Sequence, residues 1–158
     1  MTYAELKTNI ASYLNRSDLT SDIDMFIDNT EAELNRRLRT KDMIKRATAT
    51  ADSQYLAVPS DWMEAINVEI TSNNFRPLFQ QSIESLDVYR QANNNVAGEP
   101  IYFAIVDDSI ELAPTPDTSY TLQLTYYGSI DALSDSNTTN FVSTGHPDVY
   151  LYGALKHA

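Results

Sequence analysis

The sequence contains no cysteine and only two histidines and four glycines among its 158 residues. Without cysteine the chain forms no disulfide and has no thiol nucleophile, which fits folding in a reducing cytoplasm. The two histidines, His146 and His157, are too far apart in the sequence to indicate a zinc site, and neither lies near a nucleophile motif such as G-x-S-x-G. The scattered glycines provide no phosphate-binding loop. We therefore expect no catalytic residue, no metal and no cofactor.

Long apolar runs are also missing. No run approaches the roughly eighteen apolar residues that indicate a membrane-spanning helix, so we expect no membrane association. The N-terminus, Met1–Leu6, has neither the basic region nor the apolar block of a secretory signal. With 42% hydrophobic and 21% charged residues, the composition is typical of a globular protein. The length fits one domain with one substantial core.

Basic charge is scarce and unevenly placed. The formal net charge is −11, from 11 Lys and Arg against 22 Asp and Glu. Residues 1–50 hold eight basic and eight acidic residues, so residues 51–158 hold the remaining three basic and fourteen acidic ones. A general nucleic-acid-binding surface needs an excess of cations, and this distribution argues against one. An acidic surface can keep a protein soluble, or it can repel nucleic acid that passes by.

Two helices are predicted at the N-terminus. Thr2 and Glu5 have the spacing of a capping box, and an apolar stripe follows from Leu6 to Leu14. The second helix begins near Ser21, with Asp22 and Asp24 at the positive end of its dipole. Its predicted buried face consists of Ile23, Phe26, Ile27, Thr30, Leu34 and Leu38.

The middle of the chain has the pattern of strands. From Tyr120 to Tyr126, large apolar residues alternate with Thr and Gln, as in a half-buried antiparallel strand. Residues 65–70 alternate in the same way, 43–50 is predicted as an extended edge strand, and Asp107–Asp108 is predicted as the turn of a hairpin over 101–112. Ser82 is predicted to cap a helix near 82–92.

These patterns predict an α+β fold in a single domain, residues 1–158. We expect a helical hairpin over 1–40, packed with a mainly antiparallel sheet over 41–128 that includes the helix near 82–92. A polar loop follows over 129–147, and a C-terminal helix over 148–158. Loops of that length in compact domains are usually functional, so we expect a neighbouring chain to order this one.

Several surface residues are candidates for contact with another protein. The basic concentration at the end of the second helix either offsets the helix dipole, or docks onto an acidic surface of a neighbouring chain, or contacts nucleic acid. Tyr127 points to the sheet face opposite Tyr126 and fits a subunit interface, where aromatic residues are enriched. Phe141 is an apolar anchor within the long loop. The candidate contact residues are Arg36, Arg37, Arg39, Lys41, Lys45, Arg46, Tyr127 and Phe141.

The order of several short segments resembles the head-to-tail adaptor (head-completion or connector) proteins of tailed bacteriophages, particularly podovirus-like phages. The resemblance runs over nearly all of the chain. Its segments are Leu14-Asn15-Arg16, Glu31 to Arg39, Gly98-Glu99-Pro100, Leu112 to Asp117, Leu124 to Tyr127, Ala132-Leu133-Ser134, Thr139-Asn140-Phe141, and His146-Pro147-Asp148 leading into Tyr150 to Leu155.

The resemblance implies a structural virion protein in the head–tail neck, made in the host cytoplasm. It implies a dodecameric ring, with portal protein on one side and tail or nozzle proteins on the other, through which DNA passes without specific binding. Related adaptors usually continue past the last predicted helix, so we expect further residues beyond Ala158. The acidic residues expected to face the DNA channel are Asp107, Asp108, Asp131 and Asp135.

Two other functions remain open from the sequence. Asp107, Asp108 and Glu111 are close enough in sequence to serve as an acid–base pair, which suggests a glycan-binding or glycan-cleaving tail component. Exposed turn aspartates are common, however, and a hairpin turn is the simpler explanation of the first two. The other alternative, a nucleic-acid-binding module, is disfavoured by the acidic balance.

Overall fold

The structure is a computed structural model that describes residues 1–15, 18–19, 21–72 and 75–158. It confirms the predicted α+β fold, with two N-terminal helices, a middle helix, a C-terminal helix and antiparallel sheets. The helices are α1 (Tyr3–Leu14), α2 (Ile23–Arg37), α3 (Ile83–Ala92), α4 (Phe141–Gly145) and α5 (Pro147–His157), with a 3-10 turn at Lys41–Met43. The strands are β1 (Ile44–Ala51), β2 (Tyr55–Ala57), β3 (Trp62–Ile70), β4 (Arg76–Pro77), β5 (Phe79–Gln80), β6 (Tyr102–Val106), β7 (Ser109–Ala113) and β8 (Tyr120–Gly128).

The chain divides into two compact units that interleave in sequence. The helical unit comprises Met1–Met43 and Ser129–Ala158, and the sheet unit comprises Ile44–Gly128. The prediction of a single domain over residues 1–158 stays a prediction. Within the helical unit, the C-terminal helix α5 packs on α1 and α2.

Helix α1 begins and ends where the sequence predicts. The Thr2 backbone N–H donates to Glu5 Oε2 at 2.8 Å, and the Glu5 N–H donates to Thr2 Oγ1 at 3.3 Å, which forms the predicted capping box. At the other end, Asn15 adopts a left-handed conformation with φ of 47°, a common way to end a helix. Arg16, part of the motif Leu14-Asn15-Arg16, lies outside the described residues.

Helices α2 and α5 cross at a glycine. A Cβ atom built on Gly153 would overlap Thr30 Cγ2, so the close approach of the two helices requires a residue without a side chain. The Thr30 side chain is buried, and its hydroxyl donates to the Phe26 carbonyl at 2.8 Å, which fixes its rotamer. The crossing is therefore tight and specific.

Two four-stranded sheets form the sheet unit, in the orders β1-β8-β3-β4 and β2-β7-β6-β5. Their apolar faces share one core, which includes Leu122, Leu124, Phe103 and Ile110. The predicted alternation along β8 is confirmed, because Tyr120, Leu122, Leu124 and Tyr126 are buried and Thr121 is exposed.

Strand β3 departs from simple alternation. The sequence places Ile66 on the same face as Val68 and Ile70, but the pairing of β3 with β8 shifts between Ala65 and Asn67. Val68 and Ile70 are buried, whereas Ile66 is 45% exposed. A bulge inserts one extra residue into the strand, so side chains before and after it change faces.

The segment predicted as a loop over 129–147 also differs from expectation. Helix α4 lies within it, and Asn140 caps that helix by accepting from the Ser143 N–H at 2.9 Å. The Tyr3 N–H donates to the Thr138 carbonyl at 2.8 Å, and the N-terminal amine donates to the Ser143 carbonyl at 3.0 Å. Contacts within its own unit hold part of this segment, and its ordering by a neighbouring chain stays a prediction.

The crossing at Gly153 gives the first prediction. Gly153→Ala should destabilise the protein by about 1–3 kcal/mol, because overpacking against Thr30 outweighs the roughly 1 kcal/mol that alanine gains in a helix. Chemical denaturation monitored by circular dichroism measures the change. In a Thr30→Ala background the same substitution should cost nothing or stabilise, and an equal cost in both backgrounds would refute this explanation.

Candidate protein–protein interfaces

The basic residues predicted at the end of α2 are divided between the two units. Arg36, Arg37, Arg39 and Lys41 belong to the helical unit, whereas Lys45 and Arg46 belong to the sheet unit. Arg36 is exposed and makes no ion pair with any described residue. Arg39 donates to the carbonyls of Asn35 (2.9 Å) and Leu38 (2.6 Å), so it satisfies the C-terminal end of α2. The helix-dipole interpretation thus describes Arg39, and Arg36 remains available for a partner.

Glu33 collects the other cations of this region. Its carboxylate accepts from Lys156 Nζ at 2.9 Å and lies 3.1 Å from Arg37 Nη2 and 3.3 Å from His157 Nε2. The hydrogen bond from Lys156 is the main cause that lowers the pKa of Glu33, with the Arg37 charge adding to it. Glu33 offsets one of the two charges of Arg37 and Lys156, so with the exposed Arg36 this end of α2 and α5 has net positive charge.

An apolar groove of about 430 Å³ lies beside the end of α2. Its apolar lining residues are Leu34, Leu38, Phe141, Val142 and Val149, and Thr40 and Asp42 also line it. Phe141 is half-buried and Val149 is 37% exposed. The structure thus places the predicted contact residue Phe141 in a groove that a partner side chain could enter.

Lys45 is engaged within the sheet unit. Its Nζ donates to Asp61 Oδ2 at 2.8 Å, and Tyr126 Oη donates to Asp61 Oδ1 at 2.9 Å. Desolvation raises the pKa of Asp61, but the hydrogen bonds from Lys45 and Tyr126 outweigh it and the net shift is downward. Trp62 stacks on the Tyr126 ring with centroids 4.8 Å apart. The contacts of Asp61 with Lys45 and Tyr126 therefore join β1 and β8 to the segment before β3.

Arg46 and Tyr127 lie on the other face of that sheet. Arg46 is exposed and faces Thr125 across the β1–β8 pair, and Tyr127 is half-buried opposite Ile44. This geometry places Tyr127 away from the core, as predicted.

The four acidic candidates fall into two pairs. Asp107 and Asp108 form the exposed β6–β7 turn, where Asp107 has a φ of 52°. Asp131 and Asp135 are exposed on the helical unit, between β8 and α4. All four are surface residues, in accordance with the expectation that core packing does not need them.

Glu111 is bonded to residues other than the turn aspartates. It is buried, and its Oε1 accepts from Arg90 Nη1 at 2.7 Å and from Gln54 Nε2 at 2.9 Å. Arg90 also donates to the Leu112 carbonyl at 2.8 Å. A buried carboxylate paired in this way holds α3 to the sheet, because removing either partner leaves an uncompensated charge.

A second buried carboxylate, Glu31, organises the helical unit. Its Oε1 accepts from the Leu133 N–H at 2.8 Å and from the Tyr150 hydroxyl at 3.0 Å. Asn140 donates to the same hydroxyl at 2.7 Å. Desolvation raises the pKa of Glu31, and the nearby Asp28 charge adds to this, while the two hydrogen bonds oppose it.

Sequence reasoning did not identify Glu31, Tyr150 or Arg90 as partners of buried polar contacts. A signal for Glu31 existed, since it lies four residues after Ile27 on the apolar stripe of α2. An acid on a buried stripe needs a hydrogen-bond partner. The sequence does not say which residue provides it.

Two kinds of site are not found in the part of the chain that the structure describes. No group of three or more His, Cys, Asp or Glu side chains there could hold a metal ion. Among the same residues, no helix combines the length and apolar character that crossing a membrane requires.

The family model for the SU10 adaptor protein matches residues 1–158, the whole chain. This chain belongs to the SU10 adaptor protein family. It is thus a structural adaptor of bacteriophage and a virion component. No curated protein sequence matches it.

The Glu31 contacts of this adaptor give a prediction for stability. Glu31→Leu should lower the free energy of unfolding by roughly 1–3 kcal/mol, because the Leu133 N–H and the Tyr150 hydroxyl lose their buried acceptor. Glu31→Gln keeps an acceptor oxygen and should cost much less. Equal losses in the two variants, measured by urea denaturation, would contradict this role.

A pH dependence follows from the raised pKa of Glu31. A carboxyl with a raised folded-state pKa contributes stability at low pH, and that contribution is lost as the pH rises through the folded pKa. The free energy of unfolding of Glu31→Gln minus that of the unaltered protein should therefore be larger at pH 7 than at pH 4. Denaturation of both proteins across this range measures the difference, and the opposite slope would show that Glu31 is stabilised as a charge.

Proposed function

We propose that this SU10-family adaptor forms a ring that joins the portal of a phage head to its tail and through which DNA passes. The observation that carries the proposal is the match of the whole chain to an adaptor family. The resemblance of its segments to podovirus-like head–tail adaptors suggests a dodecamer. Portal protein and tail or nozzle proteins are then the partners.

The surfaces of the helical unit support a role in assembly. A closed ring needs a heterologous interface, in which two different patches of each subunit meet. The net-positive end of α2 and the adjacent apolar groove form one such patch, with Arg36 and Phe141 as its contacts. Its complement would be acidic with an apolar anchor. The chain has ample acidic surface, because the sheet unit has four basic and eleven acidic residues.

The exposed acids support a role in DNA passage. Moving DNA needs a channel without cations that bind its phosphates, since each neutralised phosphate adds affinity. Asp107, Asp108, Asp131 and Asp135 are exposed and are the proposed lumen-facing residues. A reconstruction of the ring in which they lie on the outer rim would refute this part of the proposal.

The decisive experiment mixes the protein with the portal protein of the same phage. Negative-stain and cryo-electron microscopy should show a second ring stacked on the portal, with twelve-fold symmetry. The absence of any portal-bound particle at physiological salt would refute the proposed function.

Charge reversal at the end of α2 gives a sharper prediction. Arg36→Glu with Arg37→Glu should weaken assembly on the portal by on the order of tenfold, because a cationic patch would become acidic. Stability should fall by no more than about 1 kcal/mol per site, because Arg37→Glu also replaces the ion pair with Glu33 by a like-charge pair on the surface of the helix. Arg76→Glu, a reversal of an exposed cation in the sheet unit, is the control. If the double variant assembles normally, Arg36 and Arg37 do not contact a partner and serve only to offset the dipole of α2.

A further inference from the structure

Strand β1 is an open edge of its sheet. The Thr71 N–H donates to the Thr121 carbonyl at 2.8 Å, so the odd-numbered residues of β8 bond towards β3 and the even-numbered ones towards β1. In the β1–β8 register the residues opposite the even-numbered ones are Lys45, Ala47, Ala49 and Ala51. The backbone N–H and C=O groups that point away from the sheet therefore belong to Ile44, Arg46, Thr48 and Thr50.

Within the described parts of the chain, these outward groups have no hydrogen-bond partner. The side chains of Arg46, Thr48 and Thr50 are exposed as well. The eight residues of β1 pair with β8 without a register shift, and the strand contains no proline. Natural proteins usually protect an edge with a bulge, a proline, a very short strand or charged side chains. Strand β1 has no bulge and no proline and is eight residues long. Its two charges are Lys45, which is bonded to Asp61, and the exposed Arg46.

The other edges of the sheet unit are short or blocked. The opposite edge of the same sheet, β4, has two residues, and the outward-facing one is Pro77, which has no N–H. In the second sheet the edges β2 and β5 have three and two residues. Among the edges formed by the described residues, no other edge has the length and backbone donor pattern of β1. The strand that matches it is β1 of a second copy.

We propose that β1 pairs with β1 of a second copy of this chain, antiparallel and about a two-fold axis, so that two four-stranded sheets become continuous. The pairing is centred on Thr48, whose N–H and C=O groups exchange two hydrogen bonds with those of the other Thr48. Each Arg46 then faces Thr50 of the other copy. This register covers the half-buried Ala47 and Ala49 at the edge of the core.

Charge complementarity supports this register. With Arg46 opposite Thr50 of the other copy, Asp52 of that copy is the first residue after the end of β1, two residues beyond Thr50 and within reach of the long Arg46 side chain. Arg46 and Asp52 are both exposed, and neither makes an ion pair with a described residue. The two-fold axis generates this pair twice, and no like charges lie directly opposite each other.

The pairing describes the protein before it meets its portal. A two-fold contact uses the same patch on both copies, whereas a ring needs two different patches. The pair and the ring are therefore different assemblies. The pairing is tested with the protein alone and the ring with portal present, so either proposal can fail while the other holds.

Thr48→Pro tests the edge directly. Its N–H points away from β8, so proline there leaves the β1–β8 bonds in place and removes both central donors of the pair. We expect the dissociation constant of the dimer, measured by analytical ultracentrifugation, to rise at least roughly tenfold. Thr48→Val keeps the N–H and a β-branched side chain and should dimerise normally. A dimer of unchanged affinity in a folded Thr48→Pro variant would overturn the proposal.

A charge swap tests the register. Arg46→Asp and Asp52→Arg should each weaken the dimer several-fold, because each places like charges across the axis. The double variant restores opposite charges and should recover most of the affinity. Failure of the double variant to exceed either single variant would overturn the register centred on Thr48.

Amide hydrogen exchange on the unaltered protein provides a test that needs no variant. In dilute solution, the amides of Arg46, Thr48 and Thr50 should exchange fast while those of Ala47 and Ala49 stay protected. At concentrations above the dissociation constant, the first set should become protected too. A monomer with fast outward amides at about 1 mM would overturn the proposal. Protection that appears only after portal is added would show that the edge is covered in the portal-bound assembly and not in a free pair, and it would overturn the proposal.

Discussion

The carboxylate of Glu31 is the interaction on which the helical unit depends. This unit is built from two segments separated by the whole sheet unit, so local sequence cannot hold it together. Glu31 accepts from Leu133 and Tyr150, which lie 102 and 119 residues away, and Asn35 accepts from the Ile130 N–H at 2.8 Å across 95 residues. Burying a charge costs free energy unless it is hydrogen-bonded, and here the same bonds that satisfy the charge join the two segments.

Local features of the fold could be predicted from the sequence, because local rules determine them. The Thr2–Glu5 capping box and the alternation along β8 each depend on residues close in sequence, and both appear as predicted. The bulge at Ile66 and the short helix α4 could not be predicted, because pairing with β8 and packing within the helical unit determine them. The return of residues 129–158 to the N-terminal helices is also a tertiary property. This return completes the core of the helical unit, but no pattern in the local sequence indicates it.

For the candidate contact residues too, the sequence shows some properties and only the tertiary structure shows the others. The sequence identifies where the cations lie, but not that Arg39 is used to satisfy the end of α2 or that Lys45 is bonded to Asp61. Arg36 and Arg46 are exposed and Phe141 lines a groove, and no described side chain forms an ion pair with either arginine. A charge pattern in the sequence does not show which cations are already bonded within the protein and which are free to contact a partner. The positions of the acceptor groups in the structure are needed to tell the two apart.

Pro77 has a consequence for aggregation. A sheet that is open at both edges can add strands on either side, and repeated addition leads to fibres. In this protein the β4 edge cannot add a strand, because Pro77 provides no donor where one is needed. Growth of this sheet therefore stops as soon as β1 is covered. Pro77 therefore limits the risk that pairing through β1 extends this sheet into a fibre.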